Sequence, residues 1–107
     1  MMDQKTLERL LARTAILKAM AHPTRLHILE CLGGGERCVC DLQREVGSDI
    51  STVSKHLAVL RSAGLIRDRR QGTQVFYSLL TPCVLDIFAC VEQAACAGAR
   101  RTIEALS

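Results

Sequence analysis

The chain is expected to be mainly α-helical with one small β-hairpin, a winged helix-turn-helix in the order ααααββα. Three observations predict this. Residues 49–63 set Val53, Leu57 and Leu60 at the i, i+4, i+7 spacing of one buried helical stripe, behind Asp49 as N-cap and ahead of Ala63-Gly64. Residues 65–80 read as two alternating runs around Gln71-Gly72-Thr73, the pattern of a hairpin. The segments before and after carry helical apolar periodicity, with Gly or Pro at the joints.

In chain order, Leu7, Leu10, Leu11 and Leu17 predict a first amphipathic helix over 4–20, interrupted by His22-Pro23. Pro23 suits the first turn of a second helix, which buries Leu26, Ile28, Leu29 and Leu32 and stops at Gly33-Gly34-Gly35. A short third helix over 39–46 is closed by Gly47. With the helix at 49–63 it makes a helix-turn-helix over 39–63. After the hairpin, Thr81-Pro82 opens a last helix over 82–105. Its stripe Cys83, Ile87, Cys90, Ala94 is broadened by Val84, Leu85, Phe88 and Val91, and a helix this apolar needs a partner.

The 107 residues make one domain, at a size where a second copy often completes the core. Only Phe76, Tyr77 and Phe88 are aromatic, so base stacking is a poor binding mode. The first twenty residues interleave charges with leucines, unlike a signal peptide, and no run approaches a membrane span of ~20 apolar residues. A cytoplasmic location is expected. There, six cysteines read as thiols for metal or redox chemistry before they read as disulfides.

Charge is concentrated. Between Ser51 and Gln74 five basic residues (Lys55, Arg61, Arg67, Arg69, Arg70) face one acid, Asp68, in a chain of net charge +3. With Val53, Leu57 and Leu60 turned inward, Ser51, Lys55 and Ser62 point outward, flanked by Thr52, Ser54, Val59 and Arg61. Short hydroxylated and basic side chains suit a helix entering the DNA major groove, and a basic hairpin suits the phosphates. The candidate DNA contacts are Ser51, Thr52, Ser54, Lys55, His56, Arg61, Arg69 and Arg70. For His56 a packing role is an equal alternative.

HPTRLHILECL, CVCDL, STVSKHLAVLRSAGLI and RRQGTQVFYSL, in this order over residues 19–80, resemble the ArsR/SmtB family of winged-helix repressors. The resemblance implies a homodimer paired through the first and last helices, an operator of double-stranded DNA, and release when a metal or metalloid ion binds.

Cys38 and Cys40 open the third helix. Two residues apart in a regular helix point ~200° apart, but at a frayed first turn they can share an ion. Paired soft thiolates beside Arg37 at a helix N-terminus favour thiophilic ions over magnesium or calcium. The CVCDL run is similar to the ligand motif of the arsenic, antimony, cadmium and lead branches, which makes As(III) or Sb(III) the expected inducer. Cadmium or lead is the alternative, disfavoured because no cysteine precedes Cys31. The zinc branch's last-helix pattern is missing: Ile87-Phe88 follow Asp86, and no histidine lies beyond His56. Gln43 stands where one arsenic pattern has its third cysteine, so Cys83 is the candidate third ligand and Cys90 the other, though each reads more readily as interface packing. A second mechanism, also carried by the resemblance, is persulfide or redox sensing through Cys31 with Cys96 or Cys90. His22 and His27 read as structural.

An enzyme is disfavoured. The chain lacks G-x-S-x-G, a Walker loop and H-E-x-x-H, and has little wall for a substrate pocket, so no organic cofactor or small organic substrate is expected.

Overall fold

The structure, a computed structural model, describes residues 1–106. Its elements are α1 (Gln4–Met20), α2 (Pro23–Gly33), β1 (Arg37–Cys38), α3 (Val39–Val46), α4 (Ile50–Ser62), β2 (Ile66–Gln71), β3 (Gln74–Leu79), a 3-10 turn (Pro82–Val84) and α5 (Leu85–Leu106). Each start has a local cause. Asp3 and Asp49 accept hydrogen bonds from the backbone N–H of Thr6 and Thr52, both at 2.7 Å, and so satisfy donors that a helix N-terminus leaves open. His22 Nδ1 does the same for Thr24 at 3.0 Å, with Pro23 pre-setting the first turn of α2.

The wing is where sequence and structure part. β2 and β3 pair antiparallel from Ile66↔Leu79 to Gln71↔Gln74, leaving Gly72-Thr73 as the turn. Gly72 takes φ 63 as the first central residue, which a side chain would resist. A third strand, β1, pairs with β3 at Arg37↔Tyr77 and Cys38↔Phe76, giving the sheet order β1-β3-β2. The expected order lacked it because two residues carry no periodicity to read.

One aliphatic core holds these parts. Ile28 and Leu29 of α2, Leu42 of α3, Val53, Leu57 and Leu60 of α4 and Ile66 of β2 are at most 1% exposed. Ala19, Met20, Leu32, Leu65 and Val84 complete it, and no polar or charged residue is buried among the described residues. The helix-turn-helix is thereby fixed from beneath: α3 and α4 share this core, and Gly47 at φ 76 reverses the chain between them.

Four expectations need correction. Leu11 and Leu17 of α1 are 57% and 53% exposed, and Leu26 also faces solvent; α1 reaches the core through Ala19 and Met20. Along the expected last-helix stripe none of Cys83, Ile87, Cys90 and Ala94 is buried in the single chain; Val84 is, and Leu85 and Phe88 pack against the core from its rim. The last helix begins as a 3-10 turn. Finally, residues 82–106 are long and apolar enough, by length and composition alone, to cross a membrane, contrary to the reading that nothing approached a span. Asp86, Glu92, Arg100 and Arg101 interrupt the segment, and its N-terminal end is packed on the core. What the chain leaves open is an apolar groove between α1, α2 and α5, lined by Leu17, Met20, Leu26, Ile87, Phe88 and Val91.

Leu57→Ala removes a side chain that is 1% exposed at the centre of this core. It should destabilise the fold by about 2–5 kcal/mol in urea melts. Leu17→Ala, on the open face, should cost the single chain much less.

Candidate functional site

The outer face of α4 is built by its inner one. With Val53, Leu57 and Leu60 in the core, Ser51, Thr52, Ser54, Lys55, Val59, Arg61 and Ser62 are all exposed. Asp49 caps this surface at its start, and its carboxyl lies below the usual range, chiefly through the hydrogen bonds with Thr52. His56 departs from the group. It is partly buried, its ring tilted against His22 with centroids 4.4 Å apart, and Arg25 Nη1 lies 3.4 Å from its Nδ1. Guanidinium can only donate, so Nδ1 accepts and the neutral ring is the form that fits. Burial first, then the charges of His22 and Arg25, pushes the His56 pKa below 6.5. These contacts favour the packing role.

The basic excess is partly neutralised inside the chain. Arg69 donates to both carboxylate oxygens of Glu36, at 2.7 and 3.2 Å, and to Gln71, while its guanidinium lies 4.8 Å over the Phe76 ring. Glu36 stands just before β1, so this fork ties the wing to the segment entering α3. It holds the Glu36 carboxyl below its ordinary range and Arg69 above. Arg61 of α4 pairs with Asp68 of β2 at 3.2 Å, and Arg67 donates to Ser78. Lys55 and Arg70 have no ion-pair partner among the described residues. The charge count in the sequence missed Glu36 because it lies 33 residues from Arg69.

Cys38 is the N-cap of α3 and half-buried; Cys40 lies in its first turn and is exposed. The Cys38 side chain caps no backbone donor, and Asp41 sits beside it, its carboxyl lowered by hydrogen bonds from Cys38 first and Arg44 second. All six cysteines are free thiols. Neither Cys83 nor Cys90 joins Cys38 and Cys40, nor does Cys96 or Cys90 join Cys31, in a convergent group of three or more such side chains among the described residues. Cys31 instead faces His27 and Glu45, a grouping the sequence reading missed by taking His27 as structural; the clue available was the i, i+4 spacing of His27 and Cys31. Burial, then Glu45, pushes the Cys31 thiol up.

Comparison with known proteins gives the family. Residues 22–68 match the model of the bacterial regulatory proteins of the arsR family. The HTH-type transcriptional regulator MJ1325 of Methanocaldococcus jannaschii is 38% identical over 79 residues, which cover 73% of this chain and 89% of that one. The chain belongs to the ArsR family. This family is one of DNA-binding transcriptional regulators and not of enzymes. A second relative of this ArsR-family chain is the arsenical resistance operon repressor of Escherichia coli, 45% identical over 65 residues, 60% of this chain and 56% of the other. Among solved structures, the homodimeric winged helix-turn-helix DNA-binding domain Mb0332 of Mycobacterium bovis superposes with TM-score 0.77 at 31% identity, covering 94% of this chain and 93% of that one. The wing, the helix-turn-helix and the flanking helices are thus a family architecture.

The lowered His56 pKa has a stability consequence. The unfolded ring protonates near 6.5 and the folded ring only at lower pH. The associated stability is therefore complete above pH 6.5 and is lost as pH falls through the folded value. His56→Gln should flatten the pH dependence of the urea midpoint below pH 6.5; an unchanged slope would mean that His56 is not held neutral.

Proposed function

We propose that this ArsR-family chain is a metalloid-responsive repressor, a homodimer that binds an inverted-repeat operator and leaves it when As(III) or Sb(III) is held by cysteine thiolates. The observation that carries this reading is the pair Cys38 and Cys40 at the start of α3, the helix that shares its core with α4. The donor chemistry fits the ion: two soft thiol groups lie two residues apart at a helix end, where backbone adjustment costs little, and one of them is exposed. Bound there, the metalloid would supply a soft Lewis acid that draws both sulfurs together. Val39, between them, is packed against the core, so a shift of this turn bears on Leu42 and through it on Val53 and Leu57. The arsenical-operon relative supports this choice of ion over cadmium or lead. A third thiolate would come from Cys83 or Cys90 brought in by the dimer.

Dimer formation through α1 and α5 is supported by the homodimeric Mb0332 and by the apolar face these helices leave open. A two-fold pair would set two α4 helices in successive major grooves ~34–36 Å apart, with Ser51, Thr52, Ser54 and Lys55 toward the bases. Arg61 and Arg70 would lie toward the phosphates. Arg69 would act first through Glu36, fixing the wing's position. Such a protein works in the cytoplasm, where its DNA is.

Operator titrations separate these roles. Arg70→Glu should lower affinity on all sequences and flatten its salt dependence, whereas Lys55→Ala should change the preferred operator variants. Arsenite or antimonite should weaken operator binding by ~1–3 kcal/mol of coupling free energy, and operator should weaken ion binding equally. Cys38→Ser and Cys40→Ser should each bind operator and lose the response. Release of the double variant at the wild-type arsenite concentration would refute the site.

A further inference from the structure

Between α2 and α3, away from the cysteines that open α3, three different donors converge. His27 and Cys31 are i, i+4 on α2 and so share one face. His27 Nε2 lies 3.8 Å from Cys31 Sγ and 4.0 Å from Glu45 Oε2, and all three ligand atoms fall within 4.8 Å of one another. No other group of three or more His, Cys, Asp or Glu side chains converges in this way among the described residues. We propose that His27, Cys31 and Glu45 form a second cation site, distinct from Cys38 and Cys40, that takes a zinc-like divalent ion.

Geometry and donor type both point to that class. Zinc bonds of ~2.0–2.3 Å in a tetrahedron give ligand–ligand edges of about 3.3–3.6 Å. The 3.8 and 4.0 Å separations exceed this range by a few tenths of an ångström, and no pair of the three ligand atoms exceeds it by much more than one. Side-chain rotation covers both. One imidazole nitrogen, one thiolate and one carboxylate make a borderline set, suited to zinc or cobalt, whereas paired thiolates select softer ions. Loading is balanced: the Cys31 S–H bond breaks, its proton passes to solvent, a sulfur–metal bond forms, and thiolate plus carboxylate neutralise the divalent charge. The His27 and Glu45 side chains are 45% and 54% exposed, which gives the ion entry and leaves a fourth position for water. Glu45 precedes Gly47, where the chain turns into α4, so an ion here would tie that end of α3 to α2. This site does not depend on the metalloid reading.

Cobalt(II) tests it, because a thiolate ligand adds a near-ultraviolet charge-transfer band. Reduced protein carrying Cys38→Ser and Cys40→Ser should bind one cobalt per chain with a one-thiolate band that zinc displaces. Adding Cys31→Ser should remove the band. Outer-sphere partners of metal ligands alone are worth 10–100-fold, so His27→Ala and Glu45→Gln should each weaken cobalt binding by at least about tenfold. In the wild-type chain, zinc should slow alkylation of Cys31, and His27→Ala should abolish that protection. Each variant is compared with its parent by circular dichroism. The proposal is overturned by the lack of a band in the Cys38→Ser, Cys40→Ser protein, by a band that survives Cys31→Ser, or by cobalt affinity and Cys31 protection that ignore His27 and Glu45. Arsenite release from operator is a separate measurement, so the two sites can fail independently.

Discussion

Burial of one stripe on α4 is the constraint on which the rest depends. Val53, Leu57 and Leu60 are excluded from water against Ile28, Leu29 and Leu42, and this fixes the rotation of α4 about its own axis. Each fully buried side chain of this size is worth about 1.5–3 kcal/mol, so turning the helix by one residue would forfeit several of them at once. The exposure of Ser51, Ser54 and Lys55 is therefore a consequence of the core. Leu65 and Ile66 extend the same core into the first wing strand, which roots the hairpin beside the helix it accompanies.

On this apolar base, two polar ties set the wing. Arg61–Asp68 joins it to α4, and the Arg69–Glu36 fork joins it to the segment entering β1. Both are surface pairs, and surface pairs contribute little to stability. Their value lies in direction. β1 itself pairs with β3, with Cys38 opposite Phe76, so the first cysteine of the CVC run stands in the wing's sheet while the helix it opens shares its core with α4. A rearrangement at Cys38 meets the sheet on one side and the helix-turn-helix on the other. These contacts are the route by which the proposed thiol pair would act on the proposed DNA-reading surface.

The outer helices follow a different logic. α1 and α5 give the core only their inner edges and present Leu11, Leu17, Ile87 and Val91 to solvent. A contiguous apolar face rimmed by charge marks an association surface. In a chain of 107 residues, covering that face completes burial that the single chain leaves unfinished.

The sequence by itself determined the helices, the hairpin and the inward stripe of α4. These are local matters of period, cap and turn, and Asp49, Gly47 and Gly72 each act within a few residues of where they stand. It also placed Cys38 and Cys40 together at the start of one helix, the positions on which the proposed thiol site rests. Only the tertiary structure decided the partners of distant side chains: Glu36 on Arg69, His22 and Arg25 on His56, Glu45 beside His27 and Cys31, and β1 on β3. The reason is physical. Period and propensity register a residue's own neighbours, whereas an ion pair or a donor cluster between elements depends on how two packed surfaces are rotated against each other, and that rotation is set by the whole core.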